Sequence, residues 1–476
     1  MINHYPEVKI LIDGDWRMSD PRSIINPFDE TELGTYAHAT AADLEDAVAA
    51  AKRGIRAWGN LGPIGREGIM TRAANLLRER ADEIARTITL EQGKTLREAR
   101  AEVLRAAANI EWDGHEGRRI YGRIVPSTED YHNAVYRQPI GIVAGFSPWN
   151  FPIASPSRKI GGALAAGCSV ILKAAEDTPA GAFELARAFV DAGIPNGVLN
   201  LVYGDPPTIS NYLIAHPDVR MVTFTGSVPV GKQLAALAGD HMKAVLMELG
   251  GHSPVFISKT ADIDKAADAA VMAKAMNAGQ VCVSPTRFFV EDAVYDRFAS
   301  RFVERAKALK LGNGLNDDTE MGPLINSRRV SAVEALIADA KATGAHILAG
   351  GERIGDRGFS FPLTVLGNVS DTARAMREEP FGPMALLSRV SGVEEAIEKA
   401  NSVRFGLAGY AFTRSALDIK ILSQQLEVGN LAINHFSSSE PDVPFGGIKD
   451  SGIGREGGIE GPLAHTVAKT VMTLLV

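Results

Sequence analysis

Cys282 is the residue whose type and setting most strongly suggest chemistry. It lies within GQVCVSP, residues 279–285. A thiolate is a strong nucleophile that can add to an aldehyde carbonyl, and the adduct carries an oxyanion that needs hydrogen-bond donors. The only other cysteine is Cys168, so the sequence provides no disulfide framework or multi-cysteine site, and we expect no metal. We interpret Cys168 as an inert core thiol.

Two further residues offer the groups that such a nucleophile needs. Glu248 ends an apolar run just before Gly250 and Gly251, where partial desolvation would raise its pKa and make it a usable general base. Asn150, within PWNFP over residues 148–152, carries an amide that can donate to developing negative charge. Taken singly, a solvent-facing Glu and a structural Asn in a turn remain alternative interpretations.

Two strand-to-helix junctions have features of nucleotide-binding turns. In FTGSVPVG, residues 224–231, glycine lets the backbone approach a ligand and the helix N-terminus favours a phosphate, although the spacing is not G-x-G-x-x-G. Lys173 and Glu176 follow an apolar strand and suit ribose hydroxyls, and the carboxylate would repel a 2′-phosphate, which favours NAD over NADP. A ligand-free turn and a helix-capping acid are the competing interpretations.

The elements around these residues predict a doubly wound α/β fold. Apolar runs at 140–146, 169–173, 198–203, 221–225 and 244–248 alternate with helical patterns at 157–166, 179–192 and 230–238. Ligands of such sheets bind at the carboxyl ends of the strands, which here precede Asn150, Lys173, Gly204, Gly226 and Glu248. A second α/β unit is predicted from strands at 253–257 and 287–290 and helices at 263–277 and 293–309. Cys282 would therefore lie in a cleft between two domains, and the helical residues 43–118 would pack on the first sheet.

Composition restricts the partners. The chain has 476 residues, 45% of them hydrophobic, and a formal net charge of -7, which fits two or three globular domains. Because no Lys/Arg-rich run appears, we expect no nucleic-acid or membrane-surface partner. The N-terminus does not resemble a signal peptide and no apolar stretch reaches the ~18 residues of a membrane helix. We expect a cytoplasmic location and a small-molecule partner.

The motifs taken together resemble the aldehyde dehydrogenase superfamily along essentially the whole chain. Further matching segments are EPFGP at 379–383 and PFGGIKDSG at 444–452. The resemblance implies an NAD-binding domain from residues 1–118 and 139–249, and an α/β catalytic domain from residues 250–450. It also implies a small β oligomerisation element, from residues 119–138 and 451–476, in a homodimer or homotetramer.

The resemblance also implies residue roles. Cys282 would attack the aldehyde, Asn150 and the Cys282 amide would hold the oxyanion, hydride would pass to NAD, and Glu248 would activate the water that hydrolyses the thioester. The implied cofactor-binding residues are Trp149, Lys173, Glu176, Gly204, Phe224, Gly226, Ser227, Val230, Leu249, Glu379 and Phe381. Two departures from the family pattern are Ala174, where Pro is usual, and GDPP at 204–207.

The substrate is suggested by three residues. Arg158 and Arg287 look like the carboxylate-binding arginines of succinate-semialdehyde and α-ketoglutarate-semialdehyde dehydrogenases, and Ser439 falls where the succinate-semialdehyde enzymes place a hydroxyl. Structural ion pairs are the alternative for both arginines. Glu440 places an anion in the expected mouth, which weakens the prediction of a dicarboxylic semialdehyde, and neutral aliphatic or aromatic aldehydes remain an alternative.

Two other classes of protein stay open at this point. A cofactor-independent cysteine hydrolase, such as a thioesterase or amidase, would use the same nucleophile, but it needs a His base and His252 belongs to no recognisable triad. A non-catalytic binding protein derived from the family is the third possibility, against which the complete set of reactive groups argues.

Overall fold

The structure is a computed structural model and describes residues 5–475. The strands are β1 (Ile10–Ile12), β2 (Asp15–Arg17), β3 (Arg22–Ile25), β4 (Glu32–Tyr36), β5 (Arg123–Val125), β6 (Tyr131–Pro139), β7 (Ile142–Phe146), β8 (Ser169–Lys173), β9 (Leu199–Val202), β10 (Val219–Thr225), β11 (Ala244–Glu248), β12 (Ser253–Ile257), β13 (Pro285–Glu291), β14 (His346–Ala349), β15 (Thr364–Gly367), β16 (Met384–Val390), β17 (Ala408–Phe412), β18 (Asn430–Ile433), β19 (Gly452–Ile453) and β20 (Thr466–Leu474).

The helices alternate with these strands. They are α1 (Ala41–Asn60), α2 (Gly62–Glu79), α3 (Ala81–Gln92), α4 (Leu96–Gly117), α5 (Ala154–Ala166), α6 (Pro179–Asp191), α7 (Pro206–Ala215), α8 (Val228–Asp240), α9 (Ile263–Ala275), α10 (Asp292–Lys307), α11 (Ser327–Ala342), α12 (Arg374–Arg377), α13 (Val393–Asn401), α14 (Ala416–Gln425) and α15 (Glu460–Ala464). Short 3₁₀ turns cover Met276–Gly279 and Lys449–Ser451.

The first sheet is the predicted doubly wound sheet. Within residues 5–475 its strand order is β19-β11-β10-β7-β8-β9-β1-β2, and β7 to β11 run parallel. All five predicted strands are present, and β7, β8 and β9 are buried along their whole length, as expected for parallel strands covered by helices on both faces. The antiparallel edge strands β1 and β2 were not predicted.

The second sheet has the order β14-β15-β16-β13-β12-β17-β18 in the described part of the chain, and every neighbouring pair except β14–β15 is parallel. The predicted strands at 253–257 and 287–290 are its centre. Helix α9 ends at Ala275, two residues before the predicted end, because Asn277 and Ala278 have positive φ.

The third sheet joins distant segments. It has the order β20-β6-β5 within residues 5–475, and β20 pairs antiparallel with β6 from Thr466↔Pro139 to Leu474↔Tyr131. These strands come from the two segments predicted to form the oligomerisation element. The boundary at residue 451 differs from that prediction, because β19 pairs with β11 of the first sheet and α15 packs against α5. Residues 452–465 therefore belong to the first unit.

No helix among residues 5–475 has both the length and the apolar character needed to cross a membrane. Over the same residues, no group of three or more His, Cys, Asp or Glu side chains is arranged to hold a metal ion.

Candidate active site

Two clefts meet at Cys282. The larger, of about 690 Å³, lies at the carboxyl ends of β10 and β11, and the smaller, of about 390 Å³, lies against α4 and α5. Cys282, Glu248 and Leu249 line both clefts. The thiol is therefore accessible from two sides, as an enzyme needs when it brings a cofactor and a substrate to one atom.

The loop that carries Cys282 is held by its own polar side chains. Gln280 is fully buried, donates to the Asn277 carbonyl at 3.0 Å and accepts from the Ile325 amide at 3.0 Å. Gly279 has φ +71, and a Cβ added there would lie 2.2 Å from the Gly382 carbonyl oxygen. Only glycine fits this combination of left-handed backbone and close approach.

Asn150 reaches this loop from the first unit. It is 4% exposed, and its Nδ2 donates to the Gln280 carbonyl at 2.9 Å. The side-chain amide of Asn277 donates in turn to the main-chain carbonyl of Asn150 at 2.9 Å. Because an Asn amide has two N–H groups, one stays available beside Cys282 for an oxyanion.

Glu248 ends β11 as a buried carboxylate. It is 3% exposed, and neither oxygen has a hydrogen-bond partner among the described residues. Burial raises the pKa of Glu248 well above its usual value, and the nearby charge of Glu456 raises it further. Lys159 pairs with Glu456 in a buried ion pair next to it; the sequence had indicated neither residue. A desolvated carboxyl in a cleft is suited to taking up a proton.

The thiol itself is disfavoured as an anion. Burial, together with the carboxylates of Glu379 and Glu248, raises the pKa of Cys282 to about 12. If Cys282 reacts as a nucleophile, it must therefore lose its proton in the process, and two carboxyl groups with raised pKa, Glu248 and Glu379, line the larger cleft with it. Cys168 is fully buried, and burial raises its pKa to about 11, consistent with an inert core thiol.

The larger cleft fits a dinucleotide. Ser227 precedes the 13-residue helix α8 and makes no side-chain cap hydrogen bond within residues 5–475, so the first N–H groups of the helix are left for an anion such as a pyrophosphate. Trp149 and Phe381 face each other edge to face, with ring centroids 5.5 Å apart. Six of the predicted cofactor-binding residues line this cleft, namely Trp149, Gly226, Ser227, Leu249, Glu379 and Phe381.

The other predicted cofactor residues are not among the described residues that line this cleft. Lys173 and Glu176 form an ion pair at the end of β8, and the Gly204 amide donates to Glu176 at 3.4 Å. Phe224 is buried directly beneath Gly226, whose added Cβ would lie 2.3 Å from its ring. Val230 is 41% exposed on α8.

The two departures from the family pattern have local explanations. The Ala174 amide donates to the Val202 carbonyl at 3.2 Å, a hydrogen bond that proline cannot make. In GDPP, Asp205 accepts from the Thr208 amide at 3.0 Å and so caps α7, with Pro206 at the first helical position.

The cleft also contains cations that the sequence had not indicated. Arg328 and Arg329 line it, and Arg329 lies over the Phe381 ring at 5.9 Å. Glu379 accepts from the Gly251 amide at 3.0 Å, and burial raises its pKa to about 7. These arginines begin α11 without any motif, so only the tertiary structure reveals them.

Arg158 and Ser439 meet in the smaller cleft. Arg158 is 9% exposed, and its Nη2 donates to Ser439 Oγ and to the Glu440 carbonyl, both at 3.1 Å. Both residues line the cleft together with Cys282. Aromatic and aliphatic side chains form much of the remaining wall, among them Phe151, Met276, Val281, Phe436 and Phe445.

The prediction that Arg287 binds a substrate carboxylate is wrong. Arg287 is 2% exposed inside β13 and is not among the described residues that line either cleft. Its guanidinium donates to the main-chain carbonyls of His252, at 2.8 and 3.0 Å, and of Lys399 and Ala400, at 3.2 and 3.1 Å. The residue ties β13 to the linker after β11 and to the end of α13. No carboxylate among residues 5–475 pairs with Arg287, so the structure does not show the alternative from the sequence, an ion pair, either.

The fold and the two clefts that meet at Cys282 fit an oxidoreductase that binds a nicotinamide cofactor, and comparison with known proteins gives its family. Residues 16–471 match the Aldehyde dehydrogenase family, and the chain belongs to that family. It is 44% identical to the 4-(hydroxymethyl)benzenesulfonate dehydrogenase of Comamonas testosteroni, over 95% of each chain. It is 41% identical to the NADP(+) succinate-semialdehyde dehydrogenase of Escherichia coli, over 94% of each chain.

A solved structure agrees with this assignment. The crystal structure of succinate-semialdehyde dehydrogenase from Burkholderia pseudomallei superposes with a TM-score of 0.96 at 38% identity, covering 98% of each chain. The protein is thus an NAD(P)-dependent aldehyde dehydrogenase, as the sequence predicted. The cofactor-independent hydrolase and the non-catalytic binding protein are set aside.

Gly279→Ala tests the packing of the nucleophile loop. We expect it to destabilise the protein by about 1–3 kcal/mol, because the new methyl group overlaps the Gly382 carbonyl. Turnover should fall by about 100-fold through displacement of Cys282. Thermal unfolding and steady-state NADH formation measure both effects.

The matched control is Gly239→Ala, where no described atom lies within 4 Å of the added methyl. Its stability and turnover should equal or exceed those of the wild type. Normal activity in Gly279→Ala would contradict the role given to this loop.

Glu248→Gln tests the assignment of the base. With the carboxylate gone, thioester hydrolysis should slow by about 100-fold or more while hydride transfer slows less. Rapid mixing with aldehyde and NAD should then give a burst of NADH followed by slow turnover. Thioester hydrolysis at the wild-type rate in Glu248→Gln would remove the assignment.

The pH dependence carries a second readout. A base acts as the anion, so deacylation should rise with pH through the pKa of Glu248, which lies above the usual 4.5. This limb of the kcat profile should vanish in Glu248→Gln. Its persistence would point to another group, such as Glu379.

Proposed function

We propose that this enzyme oxidises an aldehyde that carries an anionic group at its far end. The observation that carries the proposal is the presence of Arg158 and Ser439 in the cleft that also exposes Cys282. A guanidinium beside a hydroxyl suits a carboxylate or sulfonate oxygen. Two relatives support the proposal, because one is named for succinate semialdehyde and the other for a benzenesulfonate, and both compounds carry a terminal anion.

Dicarboxylic semialdehydes, namely succinate semialdehyde and α-ketoglutarate semialdehyde, are the particular substrates proposed from the sequence. Sulfonated aromatic aldehydes fit the same chemistry, and the aromatic wall of the cleft favours them. Neutral aliphatic or aromatic aldehydes are the alternative. An anion at the cleft end distinguishes the two groups of substrates.

In the proposed reaction, Cys282 Sγ attacks the aldehyde carbon, and its proton passes to Glu248, which releases it to solvent before the hydrolytic step. The free N–H of the Asn150 amide and the main-chain amide of Cys282 donate to the oxyanion. The nicotinamide cofactor, when bound, accepts the hydride. The thioester left on Cys282 is then hydrolysed by water that Glu248 deprotonates, and the proton returns from Glu248 to the Cys282 sulfur as the carboxylic acid leaves.

The cofactor-binding roles are part of the same proposal. Ser227 and Gly226 would face the pyrophosphate, Glu379 and Phe381 the nicotinamide ribose and ring, and Trp149 the channel wall. We propose NAD rather than NADP, because the Glu176 carboxylate, if it holds the adenosine ribose, would repel a 2′-phosphate. The Escherichia coli relative is named for NADP(+), so the preference needs a direct test on this chain.

Arg158→Leu tests the anion-binding proposal. The KM for succinate semialdehyde should rise about 10- to 100-fold, while that for butanal changes less than about threefold. The same comparison applies to 4-formylbenzenesulfonate and benzaldehyde. Ser439→Ala, a milder change, should also raise the KM for each anionic aldehyde relative to that for its neutral counterpart.

Arg297→Leu is the control, because it removes an exposed arginine that pairs with Asp264 on α9. It should leave the KM for each anionic aldehyde unchanged relative to that for its neutral counterpart. Equal KM changes for charged and neutral aldehydes in Arg158→Leu would contradict the proposal.

Glu176→Gln tests the cofactor preference. Removing the negative charge should lower the KM for NADP by about tenfold and leave that for NAD within about threefold. Glu398→Gln, which neutralises an exposed acid on α13, serves as the control. A wild-type enzyme that prefers NADP would contradict the proposed role of Glu176.

We propose that the third sheet is a subunit interface in a homodimer or homotetramer. It exposes large apolar side chains, among them Ile124 at 66% and Met472 at 69%, and exposed apolar surface often marks a protein–protein contact. Met472→Asp should therefore reduce the mass measured by light scattering after size exclusion. Met242→Asp, at a site 90% exposed on another part of the chain, should leave it unchanged. The cytoplasmic location remains a proposal.

A further inference from the structure

Glu440 lies between two arginines at the mouth of the smaller cleft. Arg105, on α4, pairs with its carboxylate, and Arg158, on α5, donates to its carbonyl at 3.1 Å. Ser437 Oγ donates to the same carboxylate at 2.9 Å. Arg105 and Ser437 both line the cleft that contains Cys282. The Glu440 carboxylate thus already pairs with Arg105, a cation that lines the cleft that a substrate would enter.

Arg158 alone has few donors to offer an anion at this mouth. It is nine-tenths buried, and its Nη2 already donates to Ser439 Oγ and to the Glu440 carbonyl. Its Nη1 side is closed by Gly457, whose added Cβ would lie 1.9 Å from that atom. A second cation at the mouth therefore adds donors and positive charge for a substrate anion.

Arg105 can supply that cation at low cost. Its side chain is 36% exposed and that of Glu440 is 48% exposed. Ion pairs at such exposure are weak because water solvates both partners. A substrate carboxylate or sulfonate can therefore displace the Glu440 carboxylate from Arg105 while Ser437 continues to hold it.

We propose that Arg105 is a second anion-binding residue of the substrate site, and that Glu440 competes with the substrate's anion for it. The inference rests on the proposed function, because it requires an anionic substrate. Arg105 and Arg158 then bind one anionic group from two sides, which suits a carboxylate or the three oxygens of a sulfonate. Glu440 sets how strongly an anion is preferred over a neutral aldehyde. Glu440 is thereby a specificity-determining residue.

The test is a double-mutant cycle of Glu440→Gln and Arg105→Met. KM is measured with the full chain for succinate semialdehyde against butanal, and for 4-formylbenzenesulfonate against benzaldehyde. Glu440→Gln should lower the KM for the anionic aldehydes about two- to fivefold, the range expected for an exposed competing ion pair. Arg105→Met should raise it by a similar factor. In the Arg105→Met background, Glu440→Gln should have no further effect.

The control is Asp264→Asn, which breaks the exposed Arg297–Asp264 pair on α9 and α10 and should leave each ratio of KM values unchanged. If Glu440→Gln lowers the KM for anions equally with and without Arg105, its charge acts through space and the inference is overturned. No change, or a rise, in KM also overturns it.

The two proposals fail in distinguishable ways. In one case, the wild type has a lower KM for anionic aldehydes and Arg158→Leu abolishes this preference, but Glu440→Gln does not change the KM. Only the proposed role of Arg105 and Glu440 is then lost. If the wild type shows no preference for an anionic aldehyde, both proposals are lost.

Discussion

Cys282, the proposed nucleophile, lies on one α/β unit and the groups proposed to serve it lie largely on the other, so the proposed mechanism depends on hydrogen bonds that cross between the units. The Asn150 side chain donates to the Gln280 carbonyl, and the Asn277 side chain donates to the Asn150 carbonyl. The main-chain amide of Asn277 donates to the Glu98 carboxylate at 2.9 Å. All three bonds end within six residues of Cys282. They fix the thiol against Asn150, and through β11 against Glu248.

The same site is electrostatically costly. Burial raises the pKa of both Cys282 and Glu248, so neither group is favoured as the anion its role requires. An unpartnered buried carboxylate lowers stability, and such groups persist where function needs them. The second buried acid, Glu456, is held by Lys159.

The sequence predicted the centre of both sheets because their strands are continuous apolar runs that end in recognisable turns. It missed β1 and β2, which are too short to show periodicity, although Asp13-Gly14 between them, with φ 55° and 86°, has the signature of a tight hairpin. The motif residues of the larger cleft were predictable for a similar reason, since loops after parallel strands meet at one edge.

The substrate end was less predictable. Arg158 and Arg287 have equivalent chemistry in the sequence, and only the strand register of β13 shows that Arg287 points into the interior. Arg105 belongs to no motif and reaches the mouth because α4 crosses α5 there. Such positions depend on packing between elements far apart in the chain, which spacing does not encode.

The central claim is that Cys282 carries the acyl group during turnover. Rapid acid quench after mixing enzyme, NAD and succinate semialdehyde, followed by intact-mass and peptide mass spectrometry, tests it directly. The account predicts a succinyl mass increment on the peptide that contains Cys282, formed only when NAD is present. An increment on another residue, or one that forms without NAD, would contradict it.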